Sequence, residues 1–230
     1  LFKKILLNKK KIFYLLITSI LIFSNWTLWI YAVSTNKIID ASFGYFIFPI
    51  ISVLFGFIFL KEKLNNKRII SICLVFISTL YLLINLNALP WIGLSVALLW
   101  STYNLLRKKI NVETDIGLFI ESLFLLPLIL VFLYIIVKSN QSDFSMENYK
   151  MMFLIFLAGP MTVIPLFLYI KGVELSGLGP SGMIFFITPT GQFLLGFFYY
   201  NEEFSLNKFI SFIIIWIAVS IYLKDLYEAS

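Results

Sequence analysis

Histidine is absent from all 230 residues, cysteine occurs once, and only 13% of the residues are charged. Each shortage removes something. Without histidine, an intramembrane hydrolytic or metal centre lacks its commonest base and ligand. The single Cys73 cannot close an intrachain disulfide, and inside an apolar run it reads as a packed small hydrophobe. No phosphate-binding loop of the G-x-x-x-x-G-K-[ST] type occurs, which argues against direct coupling to ATP. The low charge excludes most. Soluble domains run near ~25% charged residues, whereas this chain is 60% hydrophobic with a mean hydropathy of +0.95.

What the chain has instead is long uncharged apolar runs. Eight are candidates to cross a membrane: Ile12–Ser34, Ile39–Leu60, Ile69–Ile84, Ala88–Leu106, Ile116–Val137, Met151–Ile170, Leu178–Tyr200 and Phe209–Leu223. The third and eighth are short for a hydrocarbon core of about 30 Å. Lipid offers the backbone no hydrogen-bond partners, so a spanning segment is a helix or part of a closed barrel. Apolar runs without strict alternation predict helices, hence an all-α integral membrane protein. The net charge of +6 is concentrated on one side. With the N-terminus in the cytoplasm, fourteen Lys and Arg lie inside and four outside, namely Lys37, Lys138, Lys150 and Lys208. That bias orients every span and assigns the basic residues to topology and anionic lipid rather than nucleic acid.

Residues 30–84 and 170–224 are two copies of one unit, displaced by 140 positions without a gap. Phe46–Leu64 lies over Phe186–Phe204, with Pro49 on Pro189, Gly56 on Gly196 and Glu62 on Glu202. Five apolar spans separate the two starts, and an odd number inverts the second copy in the membrane. Inverted repeats of this kind build secondary transporters. The second half, 88–230, holds five spans and the first, 1–87, only three. Shifting Ala88 back by 140 places the expected start of the first half about 50 residues before Leu1. The expectation is therefore eight transmembrane helices of a ten-helix 5+5 inverted repeat, truncated by its first two spans.

Several stretches carry a family resemblance. They are Asn25-Trp26, Ala41–Pro49, Phe59–Leu64, Leu89–Leu94, Tyr103–Ile110, Gly117–Pro127, Thr162 through Pro165 to Leu166, and Thr188–Gly196. In this order the chain resembles the drug/metabolite transporter superfamily, in its EamA branch, and most closely the RarD-type proteins. The resemblance implies a cavity lined by spans one, two, four, six and seven, with spans three and eight at the periphery. Phe48, Asn104 and Phe185 depart from the Asn, Gly and Gln usual in such proteins, so the resemblance implies a transporter without naming its substrate.

Glu121 is the one clear carboxylate inside an apolar span, five residues into the fifth. An ionisable group at that depth marks a pathway or a proton site; alternatively it snorkels, or pairs with Arg107 or Lys108. Thr188-Pro189-Thr190-Gly191-Gln192 interrupts span seven, where proline removes a backbone donor and is expected to kink the helix. Thr188, Thr190 and Gln192 then offer ligand contacts, unless the hydroxyls bond back to their own helix. Pro49 and Pro165 are further expected kinks. Asn25 and Trp26 can present an amide and a flat apolar wall to a substrate, or only hold helices together. Tyr45 and Tyr103 make the same offer, while Trp91 and Trp100 read as packing or interface residues. Glu62 and Glu202 end equivalent spans on opposite sides, and their duplication favours a structural task. Lys171 and Glu174 form either a gate pair or a solvated pair.

These readings converge on a secondary transporter of small amphipathic or aromatic metabolites or drugs, working by alternating access in the inner (cytoplasmic) membrane with a cytoplasmic C-terminus. The alternatives are an intramembrane lipid-modifying enzyme, which the single buried carboxylate disfavours, and a non-transporting scaffold. No catalytic residue, metal or cofactor is expected. The expected partners are membrane lipids and a small-molecule substrate, with a homodimer left open and no nucleic acid.

Overall fold

Backbone that cannot reach water closes its hydrogen bonds within helices, and helices joined by short turns make up the described residues. The computed structural model describes residues 5, 7–35, 37–84, 90–139, 149–198 and 206–228. In chain order the helices of seven residues or more are α1 (Lys9–Ser34), α2 (Ile38–Leu60), α3 (Asn66–Ile84), α4 (Trp91–Ile110), α5 (Thr114–Lys138), α6 (Tyr149–Ser176), α7 (Leu178–Ile184), α8 (Ile187–Phe198) and α9 (Leu206–Glu228). Six segments are long and apolar enough to cross a membrane: Lys9–Ser34, Ala41–Leu60, Asn66–Ile84, Thr114–Lys138, Tyr149–Ser176 and Phe209–Glu228.

Two of the eight expected spans fall outside that set. Ala88–Leu106 corresponds to α4, the central helix, which packs against α1, α2 and α6. Protein surrounds much of it, so its buried face carries Ser101, Asn104 and Arg107 where a lipid-facing helix would carry aliphatics. Leu178–Tyr200 is not one helix. It breaks at Phe185 and Phe186 into α7 and α8. Pro189 has no N–H for the Phe185 carbonyl, and the Thr188 N–H takes that carbonyl at 3.0 Å instead, closing a tighter turn. By contrast α2 and α6 run unbroken through Pro49 and Pro165.

The expected shortness of spans three and eight does not hold. Polar ends extend α3 to 19 residues and α9 to 23, about 28 and 34 Å at 1.5 Å per residue. The two helices pack on one another through small residues, with the Ser78 hydroxyl donating to the Ser211 carbonyl at 3.0 Å. Their burial patterns correspond. Ser71, Val75, Ser78, Thr79 and Leu82 are buried on α3, and the positions 140 further on, Ser211, Ile215, Ala218, Val219 and Tyr222, are buried on α9. Over 69–84 and 209–224 the degree of exposure differs only at the pairs 72/212 and 81/221. Cys73 lies on the outward face of α3 and is exposed, not packed in the core.

Contacts between helix ends sort the molecule into two sides. On one, Lys11 at the start of α1 donates to the Asn111 carbonyl beyond α4 at 3.1 Å. There too Arg68 of α3 meets Asp225 of α9 at 2.8 Å, and Lys108 of α4 donates to the last carbonyls of α6. On the other, Tyr81 at the end of α3 donates to Asn207 at the start of α9 at 2.9 Å, and the Lys37 ammonium lies 6.0 Å from the Trp91 ring. The cations on the first side rest against helix C-termini, where the helix dipole favours them.

Glu62 joins α2 to α7. Its carboxylate accepts the Leu178 N–H at 2.8 Å and the Gly179 N–H at 3.0 Å, filling two of the donors that a helix start leaves open. Backbone capping is the structural task expected for it, but across the bundle. Its partner Glu202 lies outside the described residues. Gly177 makes the approach feasible: its φ is +96°, and a Cβ there would stand 2.6 Å from Glu62 Oε1. Gly177→Ala is therefore expected to lower stability in detergent by at least ~1–3 kcal/mol. Gly172→Ala, whose Cβ meets nothing within 4 Å, should be neutral or slightly stabilising. Thermal unfolding checks both, and a Gly177→Ala protein that melts with the wild type would show that the turn does not need its glycine.

Candidate functional site

The last third of α1, the middle of α2, the first half of α4 and the α7–α8 junction enclose a cavity of about 560 Å³. That size suits a small organic molecule. Its walls are largely aromatic. Trp29 stacks on Tyr45 at 5.2 Å, Tyr45 lies 5.5 Å from Phe185, and Phe48 meets Phe185 edge to face at 4.8 Å. Asn25 supplies an amide, its Nδ2 donating to the Val96 carbonyl at 3.0 Å. That bond holds α1 to α4, as the helix-holding alternative expects, while Asn25 also lines the cavity.

Toward the basic side the cavity ends at a layer of stacked rings. Trp100 stacks on Tyr103 at 5.4 Å and on Tyr169 of α6 at 5.5 Å. Tyr169 in turn meets Phe185 edge to face at 5.5 Å. Behind the rings lies a buried polar network. The Tyr103 hydroxyl donates to Glu121 Oε2 at 3.0 Å, and the Thr18 hydroxyl of α1 donates to Oε1 at 2.6 Å. Arg107 Nη1 stands 3.6 Å from Oε1, and both Arg107 and Glu121 are buried. Gly117 makes room for this, since any Cβ there would overlap the guanidinium. Glu121 therefore does not snorkel. It pairs with Arg107, while Lys108 is engaged with the end of α6.

Beyond Arg107, at the opposite end of α1 and α4 from the aromatic cavity, is a second cavity of about 820 Å³. Arg107 lines it together with Lys11, Lys108 and Lys171, and with Glu113 and Glu174. Lys171 and Glu174 pair at 3.3 Å on α6.

Asn25, Trp26 and Tyr45 thus line the aromatic cavity, and Tyr103 and Glu121 lie one layer below it. The structure does not bring Thr190 to them. Its hydroxyl donates to the Phe186 carbonyl at 2.8 Å and accepts the Trp216 indole N–H at 3.0 Å, facing α9 instead. Here the back-bonding alternative holds. Thr188 is half-buried and does not line the cavity, and the Gln192 side chain lies outside the described residues. Phe48 and Phe185, singled out in the sequence as departures from the family's usual residues, line the cavity; sequence reasoning missed Thr18, Trp29 and Tyr169, and took Trp100 for packing or an interface residue. One signal was available: Ala97, Trp100, Asn104, Arg107 and Lys108 recur at helical spacing on one face of α4. As for the inferred pathway walls, α1, α2, α4 and the α7–α8 junction line the cavity, α6 contributes Tyr169 to its floor, and α3 and α9 do not line it.

An all-helical, multi-pass chain with facing cavities and a buried ionic layer has the form of a membrane transporter. The profile of the EamA-like transporter family matches residues 1–84 and 89–224. Protein RarD of Salmonella typhi is 34% identical over 223 residues, covering 97% of this chain and 76% of that protein. A protein of Vibrio cholerae named only as an uncharacterized transporter is 33% identical, covering 94% of this chain and 72% of its own length. The chloramphenicol-sensitive protein RarD of Pseudomonas aeruginosa is 27% identical, covering 88% and 67%. The chain belongs to the EamA-like transporter family.

Breaking a buried ion pair by removing one partner typically costs ~3–5 kcal/mol, because the other charge is left uncompensated. Arg107→Met and Glu121→Gln should each destabilise by that order, and the double variant by clearly less than their sum. Unfolding of the three variants in detergent checks this, and additive losses would show that the two groups are not coupled.

Proposed function

We propose that this transporter is a secondary carrier that moves small amphipathic or aromatic molecules across the cytoplasmic membrane by alternating access. The observation that carries the proposal is the pair of cavities at opposite ends of α4, separated by the Trp100, Tyr103 and Tyr169 rings over the Glu121–Arg107 pair. A channel needs a continuous path; a carrier needs a closed layer between two approaches. The reading takes residues 1–87 as three spans of the first half and 88–230 as the five-span second half of a 5+5 ten-helix inverted repeat, and the matched burial of α3 and α9 supports it. The basic side faces the cytoplasm, which places the C-terminus there.

The lining indicates the cargo. Phe48 and Phe185, two of the positions that depart from the family's usual amides, meet in the cavity and make it more apolar. Asn25 remains to take a hydrogen bond from, or give one to, a polar substituent. A ring-bearing molecule with one polar group fits this chemistry. The name of the Pseudomonas relative makes chloramphenicol, an amphipathic nitroaromatic, a suitable first probe.

Proteoliposomes containing the chain are expected to accumulate labelled chloramphenicol above empty vesicles when a proton gradient is imposed. Trp100→Ala, which opens the aromatic layer, should abolish accumulation while leaving downhill leakage. Glu121→Gln should remove both uphill accumulation and its pH dependence if this carboxyl carries the coupling proton. Uptake equal to that of empty vesicles across a panel of aromatic solutes would sink the carrier reading in favour of a scaffold. Coincident pH curves of equal amplitude for wild type and Glu121→Gln would remove that residue from the coupling step.

A further inference from the structure

Arg107 carries more hydrogen-bond donors than the protein satisfies. Its side chain has no exposed surface, yet it makes one hydrogen bond, from Nη2 to the Thr114 carbonyl at 3.3 Å. Nε and Nη1 have no hydrogen-bond acceptor among the described residues. The two nearby carboxylates do not reach hydrogen-bond distance: Glu121 Oε1 is 3.6 Å from Nη1, and Glu174 Oε1 is 4.0 Å from Nη2. Glu121 is already held by Thr18 and Tyr103, one on each oxygen. Glu174 is looser. Its side chain is 20% exposed, its Oε1 is buried without a partner, and its other oxygen pairs with the exposed Lys171.

A guanidinium is built to take an oxyanion in a two-pronged grip, and a buried one without acceptors is costly. The cavity beside it is positively biased. Lys11, Lys108, Lys171 and Arg107 line it against Glu113 and Glu174, a lining charge of +2. Lys11 and Lys108 bond to backbone carbonyls, which leaves their charges uncancelled. We infer that the cavity on the basic side is a binding site for the oxyanion of an organic acid, gripped by Arg107, and that Glu174 occupies the place the ligand takes. The inference rests on the transporter reading and narrows its cargo. The ligand's acid group competes with Glu174 for the guanidinium, and its ring meets the Tyr103–Trp100–Tyr169 stack, which begins one helical turn away on α4. Binding then draws α6, which carries Glu174, away from α4, which carries Arg107, and so couples the cargo to the closed layer between the cavities.

The test compares phenylacetate with its uncharged amide, phenylacetamide, by calorimetric titration of the purified chain in neutral detergent. The acid is expected to bind at least about ten-fold more tightly than the amide, the scale of a charge-assisted pair. Glu174→Gln should tighten the acid several-fold and leave the amide unmoved, because it removes the charge of the internal competitor while keeping the size of its partly exposed side chain. Arg107→Lys keeps the charge but loses the fork, and should erase most of the preference. Equal affinity for acid and amide in the wild type would overturn the inference, as would an acid preference unchanged by Glu174→Gln, which remains informative should Arg107→Lys fail to fold. Titration in nanodiscs of phosphatidylcholine with and without phosphatidylglycerol separates a solute from a lipid headgroup. Undiminished acid binding is expected, and displacement by the anionic lipid would overturn assignment to a solute. Because binding is read without transport, a chain that prefers the acid but carries nothing fails the carrier reading alone. One that accumulates chloramphenicol while treating acid and amide alike fails only this inference.

Discussion

A guanidinium with no exposed surface has to be compensated within a few ångströms. Arg107 sets this condition at the basic end of α4, and four helices answer it. Glu121 brings α5, with Gly117 one turn earlier giving the guanidinium its space. Thr18 brings α1 by bonding the same carboxylate, Tyr103 returns the network to α4, and Glu174 brings α6. The residue that would be hardest to tolerate as an isolated buried charge therefore ties α1, α5 and α6 to the basic end of α4. The ring layer follows, since Tyr103 links the carboxylate to Trp100, and Trp100 carries the stack to Tyr169.

A second constraint comes from the backbone. The start of α7 leaves open helix-end N–H groups that lipid cannot satisfy. Protein satisfies them on the α2 side: Glu62 accepts two N–H groups of α7, and the Ser52 hydroxyl donates to the Leu178 carbonyl at 2.9 Å. The short α7 is thus held as part of α2's surface. Its far end is free to turn, and the turn presents Phe185 to the aromatic cavity.

Much of the fold was legible because lipid imposes a simple code. Apolar runs marked the helices, and the 140-residue offset marked α3 and α9 as equivalents, down to the buried faces that later matched. The same code failed where protein replaces lipid. The polar buried face of α4 lowered its hydropathy, and the termini of α3 and α9 continue as helices past their apolar runs because salt bridges such as Arg68–Asp225 hold their ends. In the site, Glu121 stood out because a carboxylate in an apolar run is rare. Thr190 misled because a hydroxyl beside proline looks available in sequence, whereas helix geometry offers it the Phe186 carbonyl. The aromatic residues were least legible. With 18% of the residues aromatic, no single Phe or Trp is distinctive until packing brings Phe48, Phe185 and Trp100 around one space.

The repeat is informative also where it is not kept. Between α3 and α9, which only pack, equivalent positions have equivalent burial. Between the second span of one copy and its counterpart, equivalence fails: α2 continues through Pro49, while the segment holding Pro189 is broken just before it. Phe48 lines the cavity and its counterpart Thr188 does not. The two cavities at opposite ends of α4 differ in kind, one aromatic and one charged, so the two units cannot be symmetric where they line them. On the alternating-access reading the asymmetry belongs to the elements that exchange shape, and the symmetry to the elements that carry them. The proline shared by both copies fits that division. It withholds the usual helical donor from one backbone carbonyl in each unit, that of Tyr45 in the first and that of Phe185, which takes the Thr188 N–H instead, in the second, and those two residues stand 5.5 Å apart, ring to ring, in the cavity wall. The places where proline interrupts each helix's hydrogen bonding thus meet in the wall of one cavity.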